Sequence, residues 1–339
     1  MRCTALESNG PVCPRVSVII PSYNHGRFLR QRIDSILNQT YPDFEVIILD
    51  DASTDDSRDV LKSYRSHPKI RMVLNEKNSG CVFRQWNAGM ALARGAYVWI
   101  AESDDYAERT FLEELTAVLD QHASVGLVKC RSTTVDEDGR LAGSVEYPAS
   151  RDWSHDFILP GCEDCHLQLV HGNSICNASA VLFRRQLFLD AGGADESYRM
   201  CADWLQWAKM MLRSDFAYVA KPLNYYRCHS NTVRQKCLGN VIQDLEDLRV
   251  CAYLLGHLPA GREVARQTGD RFARRWLDHS LSRTRMRHSL TYDWQMLRVL
   301  RQTDPWYIRH ILKHFLRRVL RQLIPSGRHS ARASAPNGA

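Results

Sequence analysis

A chain of 339 residues, 44% apolar and 24% charged, has the composition of a globular protein and the length of one large or two ordinary domains. No run approaches the ~18 apolar residues of a spanning helix, and the N-terminus lacks an apolar signal core, so a cytoplasmic chain is expected. The net charge of +7 is unevenly placed, with +10 on residues 241–339 and −3 on residues 1–240, which predicts a mildly acidic body and a basic tail with separate jobs.

Eleven cysteines, an odd number at irregular spacing, read as free thiols. Cys162-x-x-Cys165-His166 lacks the second well-spaced pair that a structural zinc site needs. In chain order, residues 1–14 read as a flexible leader. Val16–Ile20 is an apolar strand that stops at Pro21-Ser22-Tyr23-Asn24, where Asn-His-Gly supplies a turn. Apolar residues at helical spacing predict a helix over 28–37, ended by Pro42. Phe44–Leu49 is a second buried strand and runs into Asp50-Asp51. A helix over 60–64, a strand over 70–74 and a helix over 82–93 follow.

Residues 96–101, β-branched and aromatic, predict a strand buried on both faces that halts at Glu102-Ser103-Asp104-Asp105. Clustered carboxylates repel one another, and a hard divalent cation offsets that repulsion while attracting phosphate oxygens. Open α/β sheets bind ligands at the carboxyl ends of their parallel strands. Strand alternating with helix predicts such a sheet, so the two acidic strand ends are expected to share one crevice.

Further on, a helix over 111–119 and a strand over 125–130 precede a long irregular stretch, 133–171, expected to be a substrate-facing loop. A strand over 179–183, a helix over 202–212 with Asp203 in its first turn, and two strands, 216–219 and 223–228, lead to His229. An acidic residue in a first turn also complements the helix dipole without any chemistry. Beyond 240, helices are predicted over 241–258, 262–281 and 305–324. The last sets a broad apolar stripe against Arg309, Lys313, Arg317, Arg318 and Arg321, which suits either a helix in an anionic membrane interface or one packed on the domain with a solvated basic face. No recognised reader motif accompanies the charge, so nucleic acid is not an expected partner.

Val16-Ser-Val-Ile-Ile-Pro-Ser-Tyr-Asn24, Ile48-Leu-Asp-Asp-Ala-Ser-Thr-Asp55 and Trp99-Ile-Ala-Glu-Ser-Asp-Asp105 resemble, in order and spacing, the family 2 glycosyltransferases of GT-A fold, over residues 15–235. The segments 78–87 and 177–184 resemble one bacterial, surface-glycan branch of it. The resemblance implies an α/β fold with a mostly parallel central sheet flanked by helices, and beyond it the residues themselves read as a basic helical C-terminal region over 236–325 and a disordered tail over 326–339. It implies inverting transfer of a sugar from a nucleotide-sugar, of UDP type, to a hydroxyl of a glycan or lipid-linked acceptor in polysaccharide synthesis.

Carried onto this chain, Pro21 and Tyr23 flank the nucleobase, Asp51 binds base or ribose, Arg84 meets the nucleotide and Asp104 touches the ribose. Asp105 and His229 hold Mg²⁺ or Mn²⁺, and Asp203 is the catalytic base, although Ala202 stands where the family has an acidic neighbour. The alternatives are a nucleotidyltransferase, for which the glycine-rich basic loop after the first strand is missing, and a non-catalytic sugar-nucleotide-binding scaffold. Localisation is expected to be cytoplasmic, peripheral on the inner membrane face through Pro305–Ile324.

Overall fold

The computed structural model describes residues 13–145, 151–229, 241–259, 261–280 and 290–323. The expected leader (apart from residues 13 and 14) and the C-terminal tail lie outside them. Val16–Ser22 (β1) and Phe44–Asp50 (β2) are buried along their whole length, as expected of apolar runs covered by helices on both faces. They pair in parallel with Ser22 opposite Asp50, so the loops that follow both strands leave the sheet side by side. Ile70–Leu74 (β3) adds to β2, and Tyr97–Ile100 (β4) to the other side of β1, both parallel.

Gly26–Leu37 (α1) buries Leu29, Ile33 and Ile36 against this sheet. Ser57–Lys62 (α2) follows β2, and Val82–Leu92 (α3) packs on β1 through Gly89, where an added Cβ would stand 2.4 Å from Ile19 Cγ2. Past Tyr106–Ala107 (β5) and Phe111–Gln121 (α4), Val125–Val135 (β6) extends the sheet. Leu141–Ser144 (β7) pairs with β6, and Phe157–Pro160 (β8) with a later strand. Gly161–Asp164 (α5) continues into a π turn, Cys165–Leu169. Val181–Arg184 (β9) lies antiparallel between β4 and β6. Arg185–Asp190 (α6), Ala202–Met211 (α7) and Asp215–Arg227 (β10) complete a sheet ordered β3-β2-β1-β4-β9-β6-β10-β5. Its β3-β2-β1-β4 half is parallel, and β9, β5, β7 and β8 make the rest mixed.

Three expectations are revised. The stretch 133–171 is not one irregular loop, because β6 continues to Val135 and β7 and β8 join the sheet. Trp153 and Phe157 pack against Tyr218 at ring separations of 5.0 and 5.1 Å, and Arg151 pairs with the buried Asp164 at 2.8 Å. Residues 146–150 lie outside the described set. The two strands expected over 216–228 are one, β10, with register shifts on both sides of Pro222, whose missing N–H is accommodated at the irregularity. The compact division of the chain also falls later than 235, between Met1–Ala260 and Gly261–Ala339. Val241–His257 (α8) belongs to the first unit, where Glu246 accepts hydrogen bonds from the backbone N–H groups of Arg199, Met200 and Cys201 at 2.7, 2.9 and 3.0 Å.

The second unit holds Arg262–Ser280 (α9), Leu290–Thr303 (α10) and Tyr307–Leu323 (α11). The helix α10 was not anticipated. No helix among the described residues is long and apolar enough to cross a membrane.

Candidate active site

The loops after β1 and β2 are knitted together. Asn24 adopts a left-handed backbone (φ 53°), its N–H donates to Ser53 Oγ at 2.9 Å, and its Oδ1 accepts from Thr54 N at 2.8 Å. Asp51 N donates to Ser22 O at 2.9 Å. The Asp51 carboxylate is itself held, accepting from Asn75 Nδ2 (2.8 Å), Gln85 Nε2 (2.8 Å) and Ser79 Oγ (2.7 Å). One carboxylate thus links the ends of β2 and β3 to α3. Pro21 is buried within β1, whereas Tyr23 stands 44% exposed at the rim. Arg84 is exposed and reaches Glu196 at 3.2 Å and Ser79 O at 3.3 Å, tying two loops together.

Beyond β4 the acidic turn divides its carboxylates. Glu102 accepts from Trp86 Nε1 at 2.9 Å and is pushed up to about 8 by burial and by Asp104. Asp105 turns inward and is 2% exposed, with Oδ1 taking Arg227 N at 2.9 Å and Oδ2 taking Asn177 Nδ2 at 3.0 Å. Burial and Asp104 raise it to about 6. Asp104 faces the other way, 3.0 Å from His229 Nε2. Burial alone would raise Asp104, but the His229 hydrogen bond and the nearby His25 hold it below the usual carboxylate range.

His25, Asp104 and His229 each offer a ligand atom, all within 4.8 Å of one another, and they are the one such group among the described residues. The residue grouped with His229 is Asp104 and not Asp105, whose oxygens are committed to the end of β10 and to the Asn177 turn. Two imidazoles and a carboxylate at this spread fit a first-row divalent ion bound at ~2.0–2.2 Å, and the nitrogen donors suit Mn²⁺ better than Mg²⁺.

Sequence reasoning missed His25, read only as part of a turn, and two arginines. Arg227, 2% exposed, donates to Asp104 O at 2.8 Å, to Glu137 O at 2.9 Å and to Gln31 Oε1 at 2.7 Å. Arg32 projects from α1, fully buried, with its guanidinium 4.8 Å from the Trp99 ring. Its three nitrogens have no hydrogen-bond partner among the described residues. Burial lowers it to about 10, opposed by Asp105, Asp104 and Glu102, for which it is the buried countercharge. The one signal in sequence was a basic residue beside Ile33 in the helix's apolar stretch.

Asp203 lies in the first turn of α7. One turn on, the fully buried Trp207 meets Trp86 at a ring separation of 5.9 Å, and Trp86 is the residue that holds Glu102. Glu246 fixes the backbone immediately before the helix.

A parallel β3-β2-β1-β4 sheet continued by an antiparallel β9, with an acidic turn after β4, is the GT-A fold of nucleotide-diphospho-sugar transferases. The profile of glycosyl transferase family 2 matches residues 17–191, and the chain belongs to that family of enzymes. The crystal structure of S. aureus TarS 1-349 in complex with UDP-GlcNAc shares the fold, with a TM-score of 0.67 at 20% identity over 91% of this chain and 92% of that one. Among curated relatives, the poly(ribitol-phosphate) beta-N-acetylglucosaminyltransferase TarS of Staphylococcus aureus is 32% identical over 34% of this chain and 21% of its own length. The chondroitin synthase of Escherichia coli is 35% identical over 38% of this chain and 18% of its own length. The chain thus spans a small part of those two proteins. An uncharacterized protein of Mycobacterium tuberculosis matches more extensively, 29% identical over 74% of this chain and 79% of that protein.

Proposed function

We propose that this glycosyltransferase is inverting and metal-dependent, and that it moves a sugar from a UDP-sugar to a hydroxyl of a glycan or lipid-linked acceptor in polysaccharide synthesis. The observation that carries this reading is the His25–Asp104–His229 cluster at the end of β4, beside the paired loops of β1 and β2. These three residues would hold Mn²⁺ or Mg²⁺, which when bound supplies Lewis-acid stabilisation of the departing diphosphate.

Pro21 and Tyr23 would flank the base, and Asp51 would present its fixed carboxylate to base or ribose. Arg84 would act by holding the Ser79 loop. Asp203 would take the proton from the acceptor hydroxyl as the new bond to the anomeric carbon forms and the bond to the diphosphate breaks on the opposite face, which inverts that carbon. The second unit, through Pro305–Ile324, would keep the enzyme at an anionic membrane surface.

Calorimetric titration of UDP with and without Mn²⁺, followed by a sugar-transfer assay, tests the proposal. Saturable binding that requires Mn²⁺, together with product of inverted anomeric configuration, is expected. Metal-independent binding would overturn the metal assignment, and binding without any turnover would indicate a sugar-nucleotide scaffold.

A further inference from the structure

In the second unit α11 is turned opposite to the usual amphipathic arrangement. Its polar side faces α9, where Lys313 and His314 reach Asp270 at 2.6 and 3.0 Å and Arg318 reaches Asp278 at 3.1 Å. His310 lies 3.0 Å from Asp270 and 2.9 Å from Asp304. Asp304 approaches so closely that a Cβ on Gly269 would stand 2.6 Å from its carboxylate.

With the polar side committed, Ile308, Leu312, Phe315, Leu316 and Leu320 form a stripe at three- and four-residue spacing, each 44–57% exposed. Lys313 and Arg317, one position round from that stripe, open onto a groove of about 660 Å³ between α9 and α11. Arg266, Arg271, Arg274 and Arg275 line it from α9 beside Asp270 and Asp278, with Arg266 paired to Glu263 at 2.8 Å and Arg274 to Asp278 at 3.8 Å. Arg317 has no ion pair among the described residues.

We propose that this groove binds the phosphate headgroups of anionic phospholipids while the apolar stripe of α11 lies in the headgroup layer. The inference rests on the membrane reading above and deepens it, naming the anion site and the inserted face. Charge complementarity selects the occupant. A soluble polyanion would satisfy the cations but leave five apolar side chains in water. A second copy docked on the same face by two-fold symmetry would set two cationic grooves against each other. A bilayer carrying phosphate at its surface and acyl chains beneath matches both features.

The test is co-sedimentation of the full chain with vesicles of phosphatidylcholine alone and of phosphatidylcholine mixed with phosphatidylglycerol, with glycerol phosphate as a soluble competitor. Wild type is expected to sediment with the anionic vesicles only and to be released by salt. R274Q/R317Q is expected to bind them about twenty-five-fold more weakly, from a contribution of about fivefold per basic residue at an anionic surface. L312S/L316S is expected to weaken binding as well, with helical circular dichroism and UDP binding retained in both variants. If R274Q/R317Q binds as wild type while L312S/L316S does not, the groove inference falls and the membrane reading stands. If wild type binds neither vesicle, or glycerol phosphate binds while vesicles do not, both fall.

Discussion

Glu246 offers the sharpest test of how the site is positioned, because one carboxylate on α8 serves three consecutive backbone donors ahead of α7. Glu246 is 4% exposed, and its oxygens lie 2.7, 2.9 and 3.0 Å from the N–H groups of Arg199, Met200 and Cys201. Hydrogen bonds to a charged group contribute about 1.5–3 kcal/mol each. Full loss of three would set an upper limit, and water entering the vacated space recovers part, so Glu246→Ala is expected to cost about 4 kcal/mol. For a unit of this size that is a fall in Tm of about 8–16 °C. Glu246→Gln keeps one acceptor oxygen and should cost about 1–2 kcal/mol.

The consequence should reach catalysis, because the same segment fixes the start of the helix that carries Asp203. In sugar-transfer kinetics Glu246→Gln is expected to lower kcat with the donor KM nearly unchanged, since the loops after β1 and β2, proposed to hold the nucleotide, are untouched. Thermal denaturation and steady-state kinetics read both effects. A folded Glu246→Ala protein with wild-type Tm and kcat would refute the reasoning.

Four further outcomes are expected. Asp203→Asn should reduce kcat by about 10²–10⁴-fold with Mn²⁺-dependent UDP binding intact, measured by transfer assay and calorimetry. Asp104→Asn should abolish metal-dependent UDP binding in the same calorimetry, whereas Asp105→Asn, at a residue that holds Arg227 N and Asn177, should lower Tm. The reverse pattern would restore the assignment expected from sequence. Glu102 is pushed from the ordinary carboxyl range to about 8. Between those values the folded protein keeps a proton that the unfolded chain has released, so Glu102 makes stability fall as pH rises from about 5 to 8, by at most ~1.4 kcal/mol per pH unit. Denaturant titrations in chelator should show that slope in wild type and its loss in Glu102→Gln. Gly89→Ala should cost about 1–3 kcal/mol by pushing α3 off Ile19, seen as a lower denaturant midpoint.

The parallel half of the fold was legible in sequence because β1, β2 and β4 are buried on both faces and read as unbroken apolar runs ending in acid. The clustering of carboxylates after β4 was legible, but not which of them faces which partner. Asp104 and Asp105 are neighbours of identical chemistry, and their directions are set by Arg227 and Asn177, 122 and 72 residues away. His25 escaped notice because an Asn-His-Gly turn has a sufficient local explanation. The single strand β10 was split by Pro222, whose effect on pairing is absorbed by an irregularity that only the β6 partner reveals.

The amphipathic pattern of α11 was plain, and its orientation was not. A helix ordinarily turns its apolar side inward, but here acids on α9 and at Asp304 bind the polar side instead. Which side is covered depends on charges some 40 residues earlier in the chain.

The central claim is that His25, Asp104 and His229 together hold the cation that grips a nucleotide diphosphate. Pulsed electron paramagnetic resonance of Mn²⁺ bound with UDP tests it most directly. Nitrogen couplings from two imidazoles are expected, one lost in His25→Gln and the other in His229→Gln. A Mn²⁺–UDP complex on the wild-type protein with no imidazole nitrogen coupling would contradict the account.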